Sequence, residues 1–243
     1  MKNLIVANWK MNPSTQAEAK EIFDTIRDGA KGLKSEVVIC PPYVCLYASS
    51  FGKGVVSMGA QNVHFEEKGA FTGEISTAML KDLGVEYVII GHSERRKYFG
   101  ETNEAVNKKI KASLKAGLKI IFCIGETEEE RNAGKKSEVL EGQIKNGLAG
   151  VGIAQAKSLE NINIAYEPVW AIGTGNNCSV EETKESLDFI RKFINPDMRI
   201  LYGGSVKSDN SADYIKQAGA NGLLVGGASL KPEEFIKIIK SAE

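Results

Sequence analysis

The chain reads as an α/β protein that folds as a single-domain (β/α)8 barrel over residues 1–243. Eight short runs rich in apolar and β-branched residues recur along it, amphipathic stretches separate them, and 243 residues is close to what eight such units need. Alternation by itself also fits an open doubly wound sheet. Eight units filling the whole length favour closure into a barrel.

The runs are Leu4 to Trp9, Glu36 to Cys40, Val55 to Ala60, Glu86 to Gly91, Lys119 to Ile124, Asn163 to Glu167, Arg199 to Gly203 and Gly222 to Gly226. Several are apolar on successive residues, as in Val88-Ile89-Ile90, which predicts parallel strands covered on both faces. Helical spacing follows between them, with Ile22, Phe23, Ile26 and Ala30 on one face of the first segment and Phe235, Ile238, Ile239 and Ala242 on one face of the last. Ser179-x-x-Glu182 predicts a capping box, and Pro232 suits the first turn of the final helix. No linker or low-complexity tract divides the chain, and its longest stretch without clear periodicity is Gln61 to Ser76.

Composition narrows the function. Lys plus Arg and Asp plus Glu both number 31, so no broad basic field exists to hold nucleic acid, and any anion site must be local. Four cysteines form no C-x-x-C pair and there are only two histidines, so no metal site is expected and a reducing, cytoplasmic setting fits. Nowhere do about 20 apolar residues run together, and the N-terminal apolar run is too short for a leader, so a soluble, unprocessed protein without membrane contact is expected. Gly173-Thr174-Gly175 lacks the third glycine of a dinucleotide fingerprint and no G-x-x-x-x-G-K-[ST] loop occurs, so neither NAD nor ATP is indicated.

In a parallel barrel the C-terminal ends of the strands share one mouth, which makes polar residues there functional candidates. The first run ends Asn8-Trp9-Lys10, whose alternation sends Asn8 and Lys10 to the same side. The fourth leads into His92-Ser93-Glu94, where a helix N-terminus favours a neutral imidazole. Each has an ordinary alternative, a solvated lysine or a hydrogen-bonded structural histidine. The sixth delivers Glu167 into an apolar tip, Pro168-Val169-Trp170-Ala171-Ile172-Gly173-Thr174-Gly175. A carboxylate beside a hinged apolar flap suits a base working away from bulk water; a salt-bridged strand end is the ordinary alternative for Glu167, while an ordinary glycine-rich connection would not need Trp170 and Ile172. The last two runs end in Gly203-Gly204-Ser205 and Gly226-Gly227-Ala228-Ser229, turns that expose backbone N–H groups to a phosphate.

Seven ordered blocks carry a family resemblance: ANWKMN (7–12), GAQNVHFEEKGAFTGEIS (59–76), GHSERR (91–96), CIGET (123–127), AYEPVWAIGTG (165–175), YGGSV (202–206) and LVGGASL (224–230). Over nearly its whole length the chain resembles triosephosphate isomerases. The resemblance implies cofactor-free interconversion of dihydroxyacetone phosphate and D-glyceraldehyde 3-phosphate in glycolysis and gluconeogenesis. It implies Glu167 as the base at carbon and neutral His92 as the proton shuttle at oxygen, a pairing this family itself exemplifies. Lys10 would supply positive charge, Asn8 a hydrogen bond, and Glu94 would orient Lys10. Gly173, Ser205, Gly226 and Gly227 match positions whose amides grip the phosphate, and residues Pro168 to Gly175 match the lid. The segment from Gln61 to Ser76 matches a loop through which Thr72 reaches the partner's Asn8 in a homodimer. His64 is expected to have no catalytic part, and Cys123 to pack near the site and steer Glu167. Two departures are Ala7, where the family often has glycine, and Asn176-Asn177-Cys178, where a basic residue is frequent. Alternative readings are another phosphate-binding barrel isomerase or lyase, or a non-catalytic phosphosugar-binding barrel.

Overall fold

The computed structural model describes residues 1–46, 54–151, 161–172 and 177–243. Eight parallel strands close into a barrel in chain order: β1 (Leu4–Asn8), β2 (Glu36–Cys40), β3 (Val56–Ala60), β4 (Tyr87–Ile90), β5 (Lys119–Ile124), β6 (Ile162–Tyr166), β7 (Ile200–Tyr202) and β8 (Gly222–Val225). β8 returns to β1 with Leu4 opposite Gly222 and Ala7 opposite Val225. At that seam a side chain on residue 222 would put its Cβ 1.9 Å from the Leu4 carbonyl oxygen, so glycine permits the closure.

Among the described residues the α-helices are α1 (Gln16–Gly29), α2 (Tyr43–Leu46), α3 (Thr77–Asp82), α4 (Ser93–Phe99), α5 (Asn103–Lys115), α6 (Glu128–Asn132), α7 (Lys136–Gly147), α8 (Val180–Arg191), α9 (Ser211–Lys216) and α10 (Pro232–Ser241). No helix among these residues is long and apolar enough to cross a membrane. The predicted apolar faces of α1 and α10 are buried, and Pro232 opens α10. The predicted capping box at Ser179 is only half made. Ser179 accepts the Glu182 N–H at 3.0 Å, but the Glu182 carboxylate turns away to Arg131 at 3.1 and 3.2 Å. A charged donor in reach outcompetes a backbone N–H. The complete box lies at Thr127 and Glu130, opening α6.

Strand parity divides the interior into two cores. Leu4 and Val6, Val38 and Cys40, Ile89, Ile121, Cys123 and Ala165 point along the barrel axis, while Ile5, Ala7, Val37, Ile39, Ile120 and Phe122 pack outward against the helices. Both faces are therefore dry, which explains the unbroken apolar runs. Five strands stop one residue before the predicted ends at Trp9, Gly91, Glu167, Gly203 and Gly226. There the backbone leaves the ladder to build the mouth.

The opposite end of the barrel is closed by charge. Glu36 accepts from the Tyr87 hydroxyl, from Lys119 at 3.2 Å and from Arg199 at 2.8 Å, and Arg199 also donates to Asn163 at 2.8 Å. Burial pushes the Glu36 carboxyl up, but hydrogen bonds from Tyr87 and Arg199 outweigh it and hold the pKa at about 2.

Candidate active site

Parity aims the chemistry. Positions 4, 6 and 8 of β1 face the axis, as do 163 and 165 of β6 and the following position, 167. Asn8 and Glu167 therefore project into the mouth. They line a cavity of about 530 Å³ together with Lys10, His92, Ile172, Ser205, Gly226 and Gly227.

Glu167 is only 2% exposed and both its oxygens are engaged. Oε1 lies 3.1 Å from His92 Nε2, and Oε2 accepts the Ser93 N–H at 2.9 Å. His92 caps α4, its Nδ1 accepting the Glu94 N–H at 3.2 Å. A ring nitrogen that accepts a backbone N–H carries no proton, so the imidazole proton sits on Nε2, facing the carboxylate. The packing leaves room for little else. A Cβ on Gly125 would fall 1.7 Å from the Glu167 carbonyl oxygen, and one on Gly203 would fall 3.0 Å from Glu167 Cγ. Beneath lies Cys123, fully buried, its thiol pKa raised by burial and by the neighbouring Glu167 carboxylate. Arg96 braces this floor, donating to the carbonyls of Gly91 at 2.8 Å and Cys123 at 3.4 Å.

Lys10 adopts φ 56°, alone among the described non-glycine residues in having a positive value. That backbone costs on the order of 1 kcal/mol and persists only where its surroundings hold it. Asn8 Oδ1 accepts the Lys10 N–H at 3.1 Å, and Gln61 donates to the Lys10 carbonyl at 2.8 Å. The ammonium pairs with Glu94 at 2.6 Å and reaches the mouth beside Gly226, where a Cβ would come within 3.4 Å of Lys10 Cε.

After Glu167 the chain turns through a 3-10 turn at Val169–Ala171. Glu126, fully buried, accepts from the Trp170 indole at 3.0 Å and from the Tyr166 hydroxyl at 3.1 Å, and Arg131 stacks 3.9 Å above the Trp170 ring. Ser205 donates to the Ala171 carbonyl at 2.8 Å, joining the turn after β7 to this segment. Gly173, Thr174 and Gly175, read in the sequence as the rest of the lid, and Asn176 lie outside the described residues.

Of the residues read from sequence, Asn8, Lys10, His92, Glu167, Ile172, Ser205, Gly226 and Gly227 meet at one cavity, and Glu94 adjoins it through Lys10. Thr72 is exposed on the long loop after β3. His64 stacks on Phe65 and Phe71 in that loop and does not line the cavity. Sequence reasoning missed the Ser93 amide, Gln61, Glu126 and the cavity-lining Lys207 and Lys231. Gln61, Ser93 and Glu126 fall inside three of the resembling blocks, which was the available signal.

A closed parallel barrel whose mouth gathers titratable side chains and two paired-glycine turns has the layout of a barrel enzyme with its site at the C-terminal ends of the strands. The comparisons narrow this further. The triosephosphate isomerase family model matches residues 3–242. Triosephosphate isomerases of Alkaliphilus oremlandii, Carboxydothermus hydrogenoformans and Aquifex aeolicus are 47%, 48% and 49% identical to the chain, over 98%, 99% and 99% of it and 98%, 99% and 100% of their own lengths. The chain belongs to the triosephosphate isomerase family.

Proposed function

We propose that the chain interconverts dihydroxyacetone phosphate and D-glyceraldehyde 3-phosphate through an enediolate, with Glu167 moving the proton at carbon. The observation that carries this reading is the contact of the buried Glu167 carboxylate with the Nε2 face of His92 at 3.1 Å in the barrel mouth.

In the forward direction Glu167 takes a proton from C1 of the ketose. The C–H electron pair becomes the C1–C2 double bond, and the carbonyl electrons move onto O2. His92 donates its Nε2 proton to O2 and recovers one from O1. Protonated Glu167 then returns its proton to C2, leaving an aldehyde at C1. His92 Nε2 and Glu167 Oε1 stand 3.1 Å apart, so a substrate bound between them meets the imidazole at its oxygens and the carboxylate at its carbons. Lys10 and Asn8 stabilise the developing negative charge, with Glu94 orienting Lys10. Gly173, Ser205, Gly226 and Gly227 hold the phosphate through their amides, and Pro168 to Gly175 close over it to exclude water.

The enzyme works as at least a homodimer in the cytoplasm, with Thr72 at the interface. Support comes from the exposed apolar side chains of Phe71, next to Thr72 on the long loop, and of Met79 just beyond it, 43% and 52% exposed. A coupled assay on purified protein with no added metal or nucleotide tests the activity. Turnover in both directions is expected, and its absence at substrate saturation would refute the reading.

A further inference from the structure

Glu167 is held from behind as well as from within the cavity. Its N–H donates to the Ile124 carbonyl at 2.8 Å, and the Val169 N–H donates to the Glu126 carbonyl at 3.1 Å. Glu126 also takes the Trp170 indole and the Tyr166 hydroxyl. Residues 124–126 thus form the bed on which the base and the segment after it are laid. Gly125, at the centre of that bed, is buried and has left the β5 ladder. Its backbone lies so close to the Glu167 carbonyl that no Cβ fits between them. Both of its polar groups find one partner, a side chain on α7. Gln143 Oε1 accepts the Gly125 N–H at 2.8 Å, and Gln143 Nε2 donates to the Gly125 carbonyl at 3.1 Å. The primary amide serves donor and acceptor at once in only one orientation, so the contact fixes Gly125 in direction as well as place.

We propose that Gln143 is a positioning residue for the base: by clamping both backbone groups of Gly125 it holds the surface against which the Glu167 backbone rests, and so sets the reach of the carboxylate toward the substrate carbon. This rests on the isomerase reading above. Gln143 does not line the cavity, so it acts only through Gly125. Direct contact transmits the effect, because no side chain stands between the Gly125 backbone and the Glu167 carbonyl to absorb a shift. Neither polar group of Gly125 has a backbone partner among the described residues. Losing the Gln143 amide therefore leaves two groups unpaired at the one residue that abuts the base, and the chain there must move to satisfy them. Small displacements of a reacting group cost large factors in rate.

The test measures kcat and KM for glyceraldehyde 3-phosphate on the full-length protein, with the folded fraction taken from circular dichroism. Gln143→Met keeps the length of the side chain and removes both hydrogen bonds, while Gln143→Glu keeps the acceptor and loses the donor. Each is made in the wild-type chain and in Glu167→Asp, where the base is already set back by one methylene. In the wild-type chain Gln143→Met is expected to lose at least about tenfold in kcat per folded molecule, with KM within about twofold, and Gln143→Glu to lose less. In Glu167→Asp the same Gln143→Met change is expected to cost less than about threefold, because the register that Gln143 protects is already lost. Wild-type kcat in folded Gln143→Met would overturn the proposal. So would an equal loss in both backgrounds, which is what a purely structural role gives. Should Gln143→Met not fold, Gln143→Glu is read in both backgrounds by the same two criteria. An inactive wild type would instead overturn the isomerase reading itself.

Discussion

Glu36 offers a quantitative test of the division between the two ends of the barrel. Its carboxyl is held at about 2, against an ordinary value of 4.5. A group depressed in the folded state adds stability above its unfolded pKa and loses it as pH falls through the folded value. At about 1.4 kcal/mol per pH unit the difference is worth about 3 kcal/mol. The side chain is 26% exposed, and screening trims this to about 2 kcal/mol. Glu36→Gln, which also leaves Arg199 and Lys119 short of a partner, is therefore expected to be less stable than wild type by about 2 kcal/mol near pH 7. The gap should narrow between about pH 5 and pH 2. The assay is urea unfolding across that range at one fixed protein concentration, which holds any contribution of the proposed dimerisation constant. kcat at pH 7 should stay within about twofold, because the substitution lies at the closed end of the barrel, away from the mouth. A gap that does not change with pH, or a large fall in kcat, would refute the reasoning.

Two further outcomes are expected. Thr72→Arg should weaken dimerisation and activity together, measured by sedimentation and by the coupled assay at matched concentrations; an intact, fully active dimer would count against the interface. Gly125→Ala should cost about 1–3 kcal/mol in thermal or urea stability and on the order of 100-fold in kcat, because its Cβ would meet the Glu167 carbonyl at 1.7 Å and force the base out of register.

Much of this molecule is legible in one sequence because the barrel repeats a single unit. Unbroken apolar runs such as Val88-Ile89-Ile90 are what strands dry on both faces require, and β4 lies there. Counting along β1 sent Asn8 to the mouth, and the parity that does the same for Glu167 is seen in the structure. Closure was less legible, since local periodicity is the same in an open sheet, and the deciding pairing joins Leu4 to Gly222. The contacts that tune the site escaped for the same reason. Ser93 holds Glu167 across 74 residues and Gln61 reaches the Lys10 carbonyl across 51, whereas the Lys10–Glu94 pair, across 84, was legible only through the family resemblance. The capping box failed at Ser179 because Arg131, far away in sequence, claimed Glu182. Local pattern shows which groups are available and topology decides which of them meet.

The central claim is that Glu167 carries the proton between carbons. The most direct measurement is the kcat of Glu167→Ala in the coupled assay, with circular dichroism and thermal unfolding as controls for folding. Removing a general base typically costs about 10²–10⁴-fold, and a loss in that range with KM nearly unchanged is expected. A correctly folded Glu167→Ala protein turning over at the wild-type rate would contradict the account.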